Sequence, residues 1–313
     1  MNTCFKLFVI CLFLFTLSCK KDIESKITIT GNSKELINNT IYLKEYNHFN
    51  YLNKSYILDS TMVDSLGDFQ FSIKADSPKL ITISKYSLPP LSYQVFKETP
   101  NIYYYSFCAN FFANEPCLYI DTKKNYSITH WDTKNQDSSI IFNNENQNLL
   151  RNYYRTIDYR GLVTDENRQP LNIAATEAWD IILEEKEKRI KDYNLKNTSP
   201  INSFENYLIT EISLGAVNDF LIWTNLQENK DIDPEFYNSI LEIYNSEEWS
   251  KNSVEYYKLT ERYITHQLNL AKDKNKNYYE PTNEKLEFAK KYAKANIKDK
   301  YLQNLQEILK QHP

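Results

Sequence analysis

The spacing of apolar residues in this chain changes once, within residues 143–148. Before that point apolar and polar residues alternate over short segments, as at Phe69 and Phe71, which is the pattern of a half-buried β-strand. After it, apolar residues recur every three or four positions, as at Leu149 and Tyr153, which is the pattern of an amphipathic helix. Because the strand-like segments all precede the helix-like ones, we predict an α+β fold.

The strand-like part is predicted to form an antiparallel β-sandwich over residues 26–145, followed by an all-helical C-terminal domain over residues 146–313. About nine short strands are expected, with a hairpin turn at residues 65–68. The predicted strands occupy residues 26–30, 40–46, 55–64, 69–73, 79–86, 101–107, 117–121, 125–131 and 138–142. The predicted helices include residues 175–193, 204–226, 254–271, 284–295 and 298–311, and a helix that starts at Pro234 with Asp233 as its N-cap.

The composition argues against several functions. The net charge of −4 provides no basic surface field, so no nucleic-acid partner is expected. Only four glycines occur, and no two are close enough to build a glycine-rich phosphate loop. The four histidines do not pair with one another or with cysteine at metal-ligand spacing, so we expect no metal and no cofactor. Because the local hydrolase motifs are also missing from the sequence, we assign no catalytic residue and expect no enzyme activity.

The N-terminal segment has the layout of a secretory signal. Lys6 supplies the positive charge, residues 7–15 are an uninterrupted apolar run, and the small Ser18 precedes Cys19. With a cysteine at this place, the segment resembles a bacterial lipoprotein signal, in which the cysteine is acylated and becomes the mature N-terminus. Thr16 departs from that family, which prefers leucine three residues before the cysteine.

This resemblance implies a signal peptide at residues 1–18, lipidation of Cys19 and a lipidated tether at residues 19–25. We therefore expect the N-terminal lipid to anchor the protein to a membrane of the bacterial cell envelope. The outer membrane is the expected one, and the face of the membrane stays open. The alternative is an uncleaved membrane anchor, but about ten apolar residues are fewer than the roughly 20 that span a bilayer.

Two cysteines remain between the tether and the C-terminus, Cys108 and Cys117. An exported protein lies in an oxidising compartment, so this even pair is a candidate disulfide. The alternative is a pair of buried free thiols, because sequence spacing alone does not establish disulfide geometry.

Several segments resemble one family of exported proteins. Residues 29–31 (Ile-Thr-Gly), residues 40–43 and the stretch 59–71, with its Asp-Ser-Thr-Met-Val-Asp and Gly-Asp-Phe-Gln-Phe sequences, are similar to the N-terminal domain of unknown function in Bacteroidetes lipoproteins. Residues 118–121 and 140–149 are also similar to it. In that family the domain precedes a helical region and a thioredoxin-like domain of the TlpA/ResA thiol–disulfide oxidoreductase type.

The thioredoxin-like domain of that family works through a Cys-x-x-Cys pair with a depressed thiolate pKa. No Cys-x-x-Cys pair occurs in this sequence. The resemblance therefore implies the upstream, thioredoxin-associated module, and the reductase activity is not expected here.

Aromatic residues cluster in the predicted strand at 101–107 and in the connection that follows it. Alternation along a strand puts every second residue on the same face, so at least one aromatic set is expected to be partly exposed. Exposed aromatic rings suit contact with a protein or a sugar. The alternative is that the helical domain covers both faces. The residues of this aromatic surface are Tyr103, Tyr105, Phe107, Phe111 and Phe112.

Taken together, these features predict a lipid-anchored cell-envelope protein that acts as a non-catalytic binding or scaffold module. Its expected partners are the membrane, through the N-terminal lipid, and a protein of the envelope. Two alternatives stay open: an accessory partner in periplasmic thiol–disulfide chemistry, with Cys108 and Cys117 as a redox-active pair, and glycan or peptide capture by the aromatic surface.

Overall fold

A computed structural model describes residues 26–45, 56–85, 116–122, 124–132, 140–156, 158–195, 203–225, 233–246, 249–271 and 282–311. Within these ranges the strands come first and the helices follow, so the predicted α+β class is confirmed. The last strand ends at Phe142 and the first α-helix begins at Glu145. The change in apolar spacing at 143–148 therefore coincides with the change in structure.

The strands are β1 Lys26–Asn32, β2 Thr40–Glu45, β3 Tyr56–Met62, β4 Asp68–Lys74, β5 Lys79–Ser84, β6 Cys117–Ile120, β7 Tyr126–Trp131 and β8 Ile140–Phe142. The α-helices are α1 Glu145–Thr156, α2 Ala175–Asp192, α3 Phe204–Asn225, α4 Pro234–Leu241, α5 Ile243–Ser246, α6 Val254–Ala271, α7 Asn283–Tyr292 and α8 Ala295–Gln311. Short 3-10 turns occur at Lys34–Leu36 and Arg160–Val163.

These strands form two four-stranded sheets, in the orders β4-β1-β7-β8 and β3-β2-β5-β6. The pairing of β1 with β7 is parallel, with Ile29 opposite Tyr126, whereas the sequence predicted an antiparallel arrangement. That prediction was wrong for this pair because five other strands separate β1 from β7 in the chain. A connection of that length lets the chain return in either direction.

Apolar residues of both sheets pack into one core. In β4 the alternation is complete, with Phe69, Phe71 and Ile73 buried between exposed neighbours. The rings of Phe69 and Trp131 meet edge to face with centroids 6.0 Å apart, so strands β4 and β7 contact each other through the core. Burial on this scale is the main favourable contribution to folding of this part of the chain.

The predicted turn after β3 forms, but the two strands that flank it enter different sheets. Asp64 Oδ1 accepts hydrogen bonds from the backbone N–H groups of Leu66 and Asp68, both at 2.8 Å. Gly67 has φ of 88°, a left-handed conformation that favours glycine. Because β3 pairs with β2 and β4 pairs with β1, the turn links the sheets and is not the hairpin turn that was predicted.

The helices have a second core that includes Trp179, Phe220, Trp223 and Tyr244. The predicted start of α4 is confirmed, because Pro234 is its first residue and the Asp233 side chain accepts a hydrogen bond from the backbone of Glu235. In the parts of the chain that the structure describes, no helix has both the length and the apolar character needed to cross a bilayer.

Gly31→Ala is expected to lower the free energy of unfolding by about 1–3 kcal/mol, because a Cβ atom would overlap the Phe69 ring. That ring is held between Phe71 and Trp131, each with its centroid 6.0 Å away. Urea denaturation measures the change. Thr30→Ala, one position away on the other face of β1, is the control, with an expected change within about 0.5 kcal/mol. Equal stability of Gly31→Ala and the wild type would contradict the packing.

Candidate functional site

The outer face of one sheet packs against the helices. Successive residues of a strand point to opposite faces, and in β6 Leu118 and Ile120 enter the core between the sheets. Cys117 and Tyr119 point the other way and pack in a third buried cluster with residues of α1, α3 and α6. The Tyr119 ring stacks on Tyr207 of α3 with centroids 4.6 Å apart. We refer to this cluster as the sheet–helix junction; its buried members are Leu80, Cys117, Tyr119, Leu150, Tyr153, Tyr207, Leu208, Ile212 and Val254.

A buried glutamine ties the edge of this sheet to α1. Gln147 Oε1 accepts a hydrogen bond from the backbone N–H of Tyr119 at 2.9 Å, and Gln147 Nε2 donates to the Tyr119 carbonyl at 2.8 Å. The side chain therefore pairs with both backbone groups as a neighbouring strand would. Because β6 is the edge strand of its sheet, Gln147 takes the place that a further strand would occupy beside the backbone of Tyr119.

Most residues that the sequence singled out lie outside the described part of the chain. These are Cys19, Cys108, Tyr103, Tyr105, Phe107, Phe111 and Phe112. Cys117 is described: it begins β6, its exposed fraction is 7%, and it belongs to the sheet–helix junction. The Cys108–Cys117 disulfide and the aromatic surface therefore stay predictions.

Sequence reasoning missed a network of buried polar residues on α3 and α6. Glu211 of α3 caps the N-terminus of α6, because its Oε1 accepts hydrogen bonds from the backbone N–H groups of Val254 at 2.5 Å and Glu255 at 3.4 Å. A carboxylate at this end of a helix is favoured by the helix dipole. The carbonyl of Glu211 in turn accepts a hydrogen bond from the Tyr153 hydroxyl at 2.7 Å. One residue thus links three helices.

Glu255 lies beside this cap and is neutralised within the network. Its Oε1 pairs with Lys258 Nζ at 2.6 Å, and its Oε2 accepts a hydrogen bond from Asn218 Nδ2 at 3.0 Å. Asn218 Nδ2 also donates to the Glu255 carbonyl at 2.9 Å. The Asn218 amide therefore holds α3 against the first turn of α6.

Asp219 is a buried carboxyl group of this network with an altered acidity. Its pKa is raised from 3.8 to about 7, chiefly by burial and also by the nearby Glu255, against the opposing effects of Arg160 and Lys258. Asp219 Oδ2 accepts a hydrogen bond from the backbone N–H of Tyr159 at 3.2 Å, and Arg160 Nε lies 3.8 Å from Oδ1.

A carboxyl group with a pKa near 7 has the acidity of a general acid or base. The contacts of Asp219, however, hold the 3-10 turn Arg160–Val163 against α3, and its exposed fraction is only 9%. In the same turn the Val163 carbonyl accepts a hydrogen bond from Trp223 Nε1 at 2.9 Å. Buried ion-pair networks with structural roles shift pKa values as catalytic sites do, so we assign this network to the architecture.

The sequence does carry a signal for this network. Glu211, Asn218 and Asp219 interrupt a helix that is otherwise largely apolar, and positions 211 and 218 are seven residues apart, on one face. Polar residues on an apolar helix face are expected to meet polar partners inside the protein. Within the described ranges, no group of three or more histidine, cysteine, aspartate or glutamate side chains is arranged to hold a metal ion.

Comparison of the chain with protein-family models, with curated proteins and with solved structures gave no match. The fold and the junction define an α+β protein whose helices are packed on one face of a β-sheet.

Proposed function

We propose that this chain is a lipid-anchored protein of the bacterial cell envelope that acts as a non-catalytic binding or scaffold module. In this proposal the two sheets form a β-sandwich domain and the helices form an all-helical domain that is docked on it. The observation that carries the proposal is the sheet–helix junction, in which Tyr119, Gln147 and Tyr207 join the two parts through buried contacts. A scaffold has to hold its surfaces in a fixed relation, and a packed junction does this.

The length of the tether supports a position close to the membrane. Residues 19–25 connect the predicted lipid site to β1, which begins at Lys26. Fully extended, seven residues reach at most about 25 Å. The sheets of an acylated protein would therefore stay within a short distance of the bilayer surface.

The buried carboxylates support the non-catalytic part of the proposal. Glu211 caps a helix, Glu255 is paired with Lys258, and Asp219 holds a turn. Each of these groups has a structural partner that accounts for its burial.

Cys19→Ala is expected to abolish incorporation of radiolabelled palmitate and to release the protein from the membrane fraction, because this cysteine is the residue that is acylated in lipoproteins. One chain binds membranes only marginally, so stable retention needs the several chains of a processed lipoprotein. Cys11→Ala, in the same N-terminal segment, is the matched control and should keep both label and retention. A Cys19→Ala variant that is still labelled and retained would overturn the proposed anchoring.

A further inference from the structure

Strand β8 is bonded to helix α1 in the same way as β6. It is the last strand of the sheet β4-β1-β7-β8. Asn148 Oδ1 accepts a hydrogen bond from the backbone N–H of Phe142 at 3.0 Å, and Asn148 Nδ2 donates to the Phe142 carbonyl at 2.8 Å. Gln147 makes the same two bonds with the backbone of Tyr119 in β6. Two consecutive residues of α1 therefore lie along the edge strands of both sheets.

The two contacts differ in their access to solvent. Gln147 has an exposed fraction of 2%, so the contact with β6 is buried. Asn148 is exposed, and Ile141 in β8 has an exposed fraction of 49%. The N–H and C=O groups of Phe142 point towards Asn148, away from the neighbouring strand β7. These are the groups with which a further strand would pair.

The residues of β8 favour pairing with another strand. Ile140, Ile141 and Phe142 are β-branched or aromatic, and the strand contains neither charge nor proline. An edge strand of this kind is a template for a strand of another molecule. Its length of three residues and the register shift in its pairing with β7 make it a less regular template. The Asn148 amide is a further obstacle at the same edge.

A side chain also lies at the edge strands on the other side of the two sheets, β3 and β4. Asp59 Oδ1 accepts a hydrogen bond from the backbone N–H of Ser60 at 2.8 Å, and its Oδ2 accepts one from the backbone N–H of Ser72 in β4 at 3.4 Å. One carboxylate therefore contacts the edge strands of both sheets. A charge at an edge opposes the addition of a further strand, whereas at β8 a neutral amide holds the corresponding position.

We infer that Asn148 prevents two copies of this chain from associating through their β8 strands. Its amide occupies the backbone groups of Phe142 that a strand of a second copy would otherwise bind. The excluded partner is a second copy, because β8 is apolar and uncharged and is therefore compatible with itself. Pairing of two β8 strands about a two-fold axis would join the two sheets into one continuous sheet.

Sedimentation equilibrium of the purified protein, in a detergent that matches the density of the solvent, tests the inference without interference from an N-terminal lipid. Asn148→Leu removes both hydrogen bonds. Its mass should rise to about twice that of the wild type as the concentration increases from about 10 to about 500 µM. Asn148→Ala removes the same bonds and should also associate, which keeps the test valid if Asn148→Leu does not fold.

Two further variants separate an open strand edge from a general loss of stability or an added apolar side chain. Asn148→Lys removes the same hydrogen bonds but places a charge at the edge, so its mass should stay that of the wild type. Asn146→Leu adds a leucine at an exposed position of the same helix and should also keep the mass of the wild type.

Hydrogen exchange of the Phe142 amide identifies the surface through which the copies associate. In Asn148→Lys this amide should exchange about five to ten times faster than in the wild type, because its acceptor is lost. In Asn148→Leu it should regain protection as the concentration rises, because a carbonyl of the second copy accepts the bond. The inference is overturned if neither Asn148→Leu nor Asn148→Ala associates more than the wild type. It is also overturned if Asn148→Lys or Asn146→Leu associates to the same extent, or if Phe142 stays unprotected in the dimer.

Discussion

Glu261→Ala is expected to lower the free energy of unfolding by about 3–5 kcal/mol, because it removes the carboxylate that is paired with a buried ammonium. Lys285 of α7 has a side chain that is 1% exposed, and its Nζ pairs with Glu261 of α6. The hydroxyl of Tyr301 on α8 donates to the other oxygen of the same carboxylate. One carboxylate therefore satisfies two buried groups and joins three helices.

Chemical denaturation followed by circular dichroism measures this loss. Glu287→Ala is the matched control, because Glu287 pairs with Lys290 at 2.6 Å but both side chains are largely exposed. An exposed pair of this kind contributes about 0–1 kcal/mol, so the control should be close to the wild type. If the two variants lose equal stability, the Glu261–Lys285 pair is not buried as described.

Asp219→Asn is expected to change how stability depends on pH. The pKa of Asp219 is raised to about 7 in the folded protein, from an ordinary value of 3.8. Between these values the folded state keeps a proton that the unfolded state has released, so stability falls as the pH rises. The stabilisation by protonated Asp219 is complete below the pKa of the unfolded state and is lost as the pH rises through the pKa of the folded state. This stabilisation amounts to as much as about 4 kcal/mol.

The asparagine variant removes the titration and keeps an acceptor for the backbone N–H of Tyr159. Relative to the wild type, it should gain stability at about pH 8 and show little difference at about pH 4. Asp299→Asn, at an exposed position of α8, is the control. A stability difference between Asp219→Asn and the wild type that does not vary with pH would contradict the raised pKa.

The order of the elements could be predicted from the sequence because it rests on local periodicity. The helix 254–271 was predicted with the bounds that the structure has, and the N-cap at Asp233 follows from its position before Pro234. Both features depend on residues that are near neighbours in the chain. The class and the order of the elements could therefore be read without knowledge of the tertiary structure.

Features that depend on distant residues could not be read in this way. The parallel pairing of β1 with β7 joins strands whose partners Ile29 and Tyr126 are far apart in the chain. The alternating pattern of a strand does not determine which strand it pairs with, or whether that pairing is parallel or antiparallel. The turn at Gly67 shows the same limit, since its residues predict the turn but not the different sheets that the strands enter.

The residues that matter most for the proposals were missed for a related reason. Gln147 looks like an ordinary polar residue of an amphipathic helix, and its role appears only when the backbone of Tyr119 lies against it. The pKa of Lys300 is likewise lowered chiefly by burial, and also by the charges of Lys251 and Lys79, which the sequence does not connect to it. Polar residues within the apolar helix α3 were the one visible signal.

The sheets and helices form one unit through the sheet–helix junction. Scanning calorimetry of the full chain tests it, together with Tyr207→Ala, which removes the ring stacked on Tyr119. The expected result is a single transition in which the calorimetric and van't Hoff enthalpies agree, and which moves as a whole to lower temperature in the variant. Two separate transitions in the wild type, or a variant in which only one of two transitions moves, would contradict it.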